Sequence, residues 1–79
     1  MAVEELRSTI AFLADGNVMI FAGQTGVSRQ TVYRWLNGRS PVPSTKSQYI
    51  RRLVKEKELS IALLKKYERE IQGRIAEGG

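Results

Sequence analysis

The fold of this 79-residue chain is decided by one stretch, residues 21–38, which is FAGQTGVSRQTVYRWLNG. Ala22 is small, as a residue must be where two helices cross closely, and Gly26 supplies the positive φ that a tight interhelical turn needs. Val32 and Trp35 lie on one face of the helix that follows. The stretch therefore predicts two short helices that pack across a tight turn.

This spacing of a small residue, a glycine and apolar anchors is typical of a helix-turn-helix. The residues left facing outward have hydrogen-bonding side chains near the start of the second helix: Arg29, Gln30, Tyr33 and Arg34, preceded or accompanied by Ser28 and Thr31. A helix that contacts base edges in the major groove needs such side chains at its N-terminal end. Arg29 and Arg34 suit guanine O6 and N7, and Gln30 suits adenine N6 and N7.

Helical patterns also precede the motif. Apolar residues recur at spacings of three and four near the N-terminus, which predicts a helix with one apolar face: Val3, Leu6, Ile10 and Leu13. Residues 15–17 are a turn signal. Residues 18–25 are short and apolar, so periodicity alone leaves helix and strand open there.

The C-terminal half of the chain predicts one long helix. Two prolines make residues 39–43 a stiff linker, and Ser44 is a suitable cap for the helix that follows. No Gly or Pro interrupts residues 45–72. The apolar face shifts near residues 57–60, so a break at that point stays open.

Together these segments predict an all-α fold, a small helix-turn-helix domain of four to five helices with a long C-terminal helix. Residues 1–43 form the helix-turn-helix core, and residues 44–77 form the long helix of the same compact domain. Trp35 and Tyr49 are interpreted as core anchors rather than as platforms on which bases stack.

The net charge of +5 is concentrated in the middle third of the chain. Residues 1–27 carry one arginine against three acids, residues 28–55 carry seven basic residues and no acid, and residues 56–79 carry five of each. A basic block beside a mixed-charge block is typical of an anion-binding surface next to a packing element. Nucleic acid is the leading anion, because its phosphates favour clustered Lys and Arg through counterion release.

Composition argues against several classes of function. The chain has no Cys and no His, which excludes a disulfide framework, a zinc finger, a thiol nucleophile and an imidazole base. We therefore expect no enzyme, no metal, no cofactor and no small-molecule ligand. The longest apolar run, residues 18–22, is far shorter than a membrane span, and the acidic N-terminus lacks the features of a signal peptide. These features predict a cytoplasmic protein.

The motif in residues 25–38, TGVSRQTVYRWLNG, resembles the helix-turn-helix of Cro- and lambda-repressor-type regulators, the XRE-type family. The resemblance implies an all-helical domain that binds double-stranded DNA, usually as a two-fold dimer on a near-palindromic operator. By position it implies base contacts from Arg29, Gln30, Tyr33 and Arg34. It also implies phosphate contacts from residues near two helix starts and the linker: Ser28, Asn37, Arg39, Thr45, Lys46 and Ser47.

Further residues extend the predicted contact with the DNA backbone. Thr31 joins the phosphate-contacting set, and Arg51, Arg52 and Lys55 are expected to add non-specific attraction. One position departs from the family pattern, because members often have a phosphate-contacting Gln where this chain has Val18. Either Asn17 takes over that contact or the contact is absent.

The long helix carries a row of apolar residues spaced by four, with Leu64 beside it: Leu59, Leu63, Tyr67, Ile71 and Ile75. The row is either intramolecular core or a dimer seam. So long a helix extends beyond the core that the first 40 residues can form, and we therefore predict that the row makes a homodimer contact. The spacing departs from a strict heptad, which favours a short crossed-helix contact over a long coiled coil.

These features predict a transcriptional regulator that acts by occupying DNA. The simplest case is a small Cro-like repressor of its own operon, encoded by a phage or mobile element and associated with the bacterial nucleoid. Two alternatives stay open: the DNA-binding arm or accessory factor of a recombinase or transposase system, and an antitoxin-type protein-binding module. The Met start and the Gly-Gly end favour a whole protein over such an arm.

Overall fold

The computed structural model describes residues 1–78, and the side chains of residues 1–73. Four helices make up the described part of the chain: α1 at Val3–Ala14, α2 at Val18–Thr25, α3 at Arg29–Leu36 and α4 at Ser44–Gly78. The predicted all-α fold with a long C-terminal helix is confirmed. The long helix begins where the proline-containing linker ends.

Side-chain caps begin the two middle helices. Asn17 Oδ1 accepts a hydrogen bond from Ile20 N at 3.1 Å, so residues 18–25, which are ambiguous by pattern, start as a helix. Ser28 Oγ accepts a hydrogen bond from Thr31 N at 3.2 Å. Each cap satisfies a backbone N–H that has no partner within its own helix.

The turn between α2 and α3 has the backbone that its sequence predicts. Gly26 has a φ of +72°, in the left-handed region, and Val27 N donates to Ala22 O at 3.1 Å. The buried hydroxyl of Thr25 donates to Phe21 O at 3.0 Å. The buried hydroxyl at the end of α2 therefore has a hydrogen-bond partner.

α4 starts at the predicted cap residue, one position earlier than the sequence predicts. Ser44 is itself the first helical residue, and the carbonyl of Pro43 accepts a hydrogen bond from Ser47 N at 2.9 Å. The cap role assigned to Ser44 is therefore wrong by one position. The helix runs without a break through residues 57–60.

Eight buried apolar side chains from all four helices form the core: Leu6, Ile10, Ala14, Phe21, Ala22, Val32, Trp35 and Ile50. Trp35 is a core anchor, as predicted. Tyr49 is not, because its side chain is 42% exposed. Successive residues of a helix point about 100° apart, so the turn of α4 that buries Ile50 directs its neighbour Tyr49 away from the core.

The 35 residues of α4 divide into two segments with different surroundings. The inner segment, residues 44–57, packs on α1 and α2 and includes Ile50. In the outer segment, residues 58–73, Ile61 is half-buried and every other side chain is exposed. At 1.5 Å per residue α4 is about 52 Å long, so it extends well beyond the three short helices.

Candidate nucleic-acid interface

Five exposed polar side chains share one face of α3 and the residue that follows it: Arg29, Gln30, Tyr33, Arg34 and Asn37. On an ideal helix these positions span an arc of about 140°. The opposite side buries Val32 and Trp35 in the core, and those two side chains fix the rotation of α3 about its axis. All four residues that the sequence assigned to base contacts thus lie together on one accessible surface.

The start of α3 combines two hydroxyl groups. Ser28 Oγ lies 2.9 Å from Thr31 Oγ1, and Ser28 Oγ also accepts the hydrogen bond from Thr31 N. One hydroxyl hydrogen is used within the pair, whichever atom donates it, and the second hydrogen has no acceptor among the side chains and backbone that the structure describes. This helix start therefore has a donor that could serve an anion.

The exposed face of α3 lies in a strongly basic part of the chain. Among residues 1–73 there is one ion pair, between Arg51 Nη2 and Glu5 Oε1 at 3.3 Å. The exposed arginines of α3, the linker and the outward side of α4 take no part in it: Arg29, Arg34, Arg39 and Arg52. Their positive charge is not neutralised by a carboxylate in that range.

The predicted phosphate-contacting residues divide into two groups. The accessible group has six members. Thr31 is half-buried, and the other five are exposed: Ser28, Asn37, Arg39, Thr45 and Arg52. An inward group of three residues belongs to α4, on the side that contacts α1 and α2: Lys46, Ser47 and Arg51, of which Arg51 is exposed but paired. The sequence did not separate these groups, because charge and helix position alone do not show which side of α4 packs on the body.

Each member of the inward group has a partner within the chain or is withdrawn from the surface. Lys46 Nζ donates to Thr25 O at 2.7 Å, and Arg51 pairs with Glu5. Ser47 is buried, with 6% of its surface exposed. The structure therefore does not place these three side chains with the accessible phosphate-contacting group.

A residue outside the predicted set also borders this surface. Arg7 of α1 lines a solvent-open groove of about 340 Å³ together with Val18, Tyr33 and Asn37. Val18 is the position at which the Cro-type pattern often has a Gln. Sequence reasoning passed over Arg7 because it lies in the acidic first third of the chain, far from the motif. Only the packing of α1 beside α2 and α3 brings it to the groove.

The apolar row of α4 is exposed in this single chain. Leu59, Leu63, Leu64 and Tyr67 are each between 63% and 67% exposed, and Ile71 is 47% exposed. Ile75, the last member of the predicted row, lies outside the residues whose side chains are described. The row is therefore not intramolecular core over its described length.

Two kinds of site are not found in the described part of the chain. No cluster of three or more carboxylate, His or Cys side chains suited to a metal ion occurs there. None of the helices through Gly78 has both the length and the apolar character required to cross a bilayer.

Comparison of this chain with protein-family models, with curated proteins and with solved structures gives no match. We therefore infer the function from the residues of this chain and their arrangement.

Proposed function

We propose that this chain is a sequence-specific double-stranded DNA-binding protein that regulates transcription and reads the major groove with α3, as a homodimer. The observation that carries the proposal is the exposed face of α3. Five hydrogen-bonding side chains share it, and residues 28–55 contain no acid. The major groove of B-DNA admits one α-helix, and its floor offers a distinct pattern of donors and acceptors for each base pair.

The side chains on this face divide by chemistry. The guanidinium groups of Arg29 and Arg34 each match the O6 and N7 acceptors of guanine, and the amide of Gln30 matches adenine. Tyr33 adds a donor and an apolar ring edge. Two arginines and a glutamine on one face support recognition of a short mixed sequence rather than uniform binding along the duplex.

Contacts with the DNA backbone would orient α3. Asn37, Arg39 and Thr45 are exposed around the linker that follows α3, and Arg52 lies on the outward side of α4. Such contacts fix the register of a protein on the duplex without reading its sequence. Arg7, in the groove beside Val18, is suited to a phosphate near the start of α2.

The homodimer is supported by the exposed apolar residues of α4. Four residues turn an α-helix by about 400°, so each step of the row moves about 40° around the axis, and Leu59 and Ile71 are about 120° apart. Such a row is a ridge along positions i and i+4, rather than a straight stripe. Two ridges of this kind pack with their helices crossed at about 50°, which suits a short contact centred on Leu63 and Tyr67.

The area and the charge of the exposed ridge on α4 are compatible with a second copy of this chain as its binding partner. Five large apolar side chains on each of two copies offer on the order of 1,000 Å² of surface, near the lower limit for a specific protein–protein interface. Residues 56–79 carry five basic and five acidic residues, so two copies of this part do not repel each other through net charge. A reversible dimer stabilised further by DNA fits these quantities.

With these parts the chain would act by occupying its site and excluding other proteins. That activity corresponds to a small Cro-like repressor, and autoregulation of its own operon in a phage or mobile element is its simplest form. The setting proposed is the cytoplasm of a bacterial or phage-infected cell, in association with the nucleoid.

The test of this function is a selection experiment. The purified chain is incubated with random-sequence duplexes at physiological salt, and the retained duplexes are sequenced. We expect a near-palindromic motif with half-sites about ten base pairs apart, because a two-fold dimer places two recognition helices about 34 Å apart. Retention without a motif, or no retention, would contradict sequence-specific recognition.

Three variants then separate base contacts from backbone contacts on the selected site. Arg34→Ala and Gln30→Ala should each weaken specific binding by roughly 1–3 kcal/mol and relax the preference at one base pair. Arg52→Ala should weaken binding to all duplexes alike and reduce the salt dependence by about one phosphate contact. The matched control is Arg51→Ala, because that neighbouring arginine already pairs with Glu5. Equal behaviour of all four variants would refute the division.

The homodimer is tested by cross-linking, which is simple because the chain has no cysteine. A disulfide needs Cα atoms within about 7 Å, so Tyr67→Cys should form a disulfide-linked dimer readily on oxidation. Ala62→Cys, an exposed residue on the other side of the outer segment, is the control and should stay monomeric. Equal cross-linking at both positions, or none at Tyr67→Cys, would argue against the proposed contact.

One observation favours a second candidate function. The same exposed apolar ridge could bind a different protein, as the tail helix of an antitoxin-type module does in the alternative kept open by the sequence. That function predicts a chain that stays monomeric at high concentration and retains no DNA motif in the selection. The two candidates are therefore separated by the experiments above.

A further inference from the structure

We infer that Lys46 is a positioning residue: its ammonium group holds the carboxyl end of α2 and so sets the turn from which α3 departs. This inference rests on the proposed function for its consequence in DNA binding. Its structural part concerns the stability of the turn and is testable without DNA. It also differs from the expectation based on sequence, in which Lys46 contacts a phosphate.

The contact joins two distant parts of the chain. Lys46 Nζ donates to Thr25 O at 2.7 Å, across 21 positions of sequence, and the side chain is half-buried. A Cβ placed on Gly26 would lie 3.8 Å from the same Nζ, with no other atom within 4 Å apart from those of Gly26 and its two chain neighbours, so the ammonium group lies over the turn itself. The first turn of α4 thus contacts the last residue of α2 and the glycine that follows it.

Lys46 supplies the carboxyl end of α2 with a hydrogen-bond donor and a positive charge. The last carbonyls of a helix lack intrahelical donors and carry the negative end of the helix dipole. No basic residue lies in the last turn of α2, and the hydroxyl of Thr25 is already engaged with Phe21 O. A cation delivered from α4 supplies both the missing donor and the opposite charge.

The position of this contact gives it a functional consequence. Thr25 and Gly26 are followed at once by Val27 and Ser28, and Ser28 caps α3 directly ahead of Arg29. Any looseness in the turn is therefore transmitted to the helix that carries the base-reading side chains. A base contact made through two hydrogen bonds requires that helix to be held in one orientation.

A second lysine provides a matched comparison within the same helix. Lys57 Nζ donates to Phe12 O near the carboxyl end of α1, which also has no basic residue in its last turn, and lies 4.9 Å from the centre of the Phe12 ring. Eleven residues separate the two lysines, which puts them within about 20° of each other on α4. Both are half-buried, but only Lys46 contacts the helix-turn-helix turn.

The experiment compares Lys46→Met with Lys57→Met, since methionine keeps an apolar stem and removes the charge and the donor. The rate of backbone amide hydrogen exchange reports separately on the carboxyl end of α2 and on the carboxyl end of α1. The Val27 amide, bonded to Ala22 O, reports on the turn, and the Gly16 amide, bonded to Ile10 O, reports on the end of α1. We expect Lys46→Met to accelerate exchange at Val27 about threefold to tenfold, and Lys57→Met to do so at Gly16.

The DNA measurement uses the selected duplex and a series of salt concentrations. We expect Lys46→Met to weaken specific binding by about threefold to tenfold with an unchanged salt dependence, and Lys57→Met to leave binding nearly unchanged. Lys46→Arg, which keeps a charged donor, should restore most of the protection at Val27. If Lys46→Met proves too unstable to study, Lys46→Arg still tests the contact through the rate of amide exchange at Val27.

Two outcomes would overturn the inference. Unchanged exchange at Val27 in Lys46→Met would show that the contact does not hold the turn. A salt dependence reduced by about one phosphate contact, with exchange unaltered, would return Lys46 to the phosphate-contacting set. Failure of the proposed function is distinct from both, because it would abolish DNA binding by the unmodified chain and leave the exchange measurements intact.

Discussion

The inner and outer segments of α4 carry similar apolar residues in different surroundings. Ile50 in the inner segment is fully buried against the other helices, whereas Leu63 in the outer segment is 64% exposed. Both belong to one uninterrupted helix. An apolar row in a sequence therefore predicts that a helix is amphipathic, but it does not show what covers the apolar side.

The two segments also owe their helical state to different causes. Packing of an apolar face supplies most of the stability of a helix in a protein, and isolated helices shorter than about 12–15 residues are marginal in water. The inner segment has such packing. The outer segment has only its composition and the helix that precedes it, so a second copy across Leu63 and Tyr67 would add the packing that it lacks.

The largest expected difference between the two segments is in how much their apolar side chains contribute to the free energy of unfolding. Ile50→Ala should lower the free energy of unfolding by about 2–5 kcal/mol, because it leaves a cavity among α1, α2 and α4. Leu63→Ala should change it by no more than about 0.5 kcal/mol in the monomer. Urea unfolding at low protein concentration measures both, and a similar loss in both variants would mean that the outer segment belongs to the core.

A smaller difference is expected at two glycines, one in the α2–α3 turn that Lys46 of the inner segment contacts and one in the outer segment. Gly26→Ala should cost about 1–2 kcal/mol, because its φ of +72° is strained for a residue with a Cβ. Gly73→Ala, in the outer segment, meets no atom within 4 Å and has no positive φ, so it should raise the helix content without stabilising the rest of the domain. Circular dichroism combined with urea unfolding distinguishes these effects. Equal stability changes would contradict the division into two regions.

The smallest expected effect concerns the ion pair that joins the inner segment to α1. Arg51 and Glu5 side chains are 57% and 45% exposed, and exposed pairs contribute about 0–1 kcal/mol. Arg51→Ala should therefore lower stability by less than about 1 kcal/mol, and the loss should shrink as salt is added. A larger loss that salt does not reduce would indicate that the arginine stem, rather than its charge, holds α1 against α4.

Much of the helix-turn-helix was predictable because its determinants are local. Gly26 at the turn, Ser28 at the cap and Trp35 on the buried face each follow from spacing and backbone preference within a few residues. The four expected base-reading residues lie on one exposed face for the same reason, since a helix with a known buried side has a known exposed side. Their contact with bases stays a prediction.

The inward residues of α4 were not predictable by the same reasoning. Lys46 and Arg51 belong to an unbroken basic block, and their side chains reach Thr25 and Glu5, whereas their neighbours in sequence, Thr45 and Arg52, lie on the outward side of α4. Which of them faces the body depends on the rotation of α4 about its axis. That rotation follows from the burial of Ile50 and from the distance that the proline-containing linker spans, neither of which a charge pattern contains.

The sequence by itself determined the all-helical fold class, the turn, the concentration of positive charge and the polar face of α3, because each depends on composition or on residues within one or two helical turns. Only the tertiary structure decided that Lys46 and Lys57 close the carboxyl ends of two other helices, that Arg7 borders the α3 surface, and that the ridge of α4 is left uncovered. These depend on contacts between residues far apart in the chain, and such contacts are set by how whole helices pack.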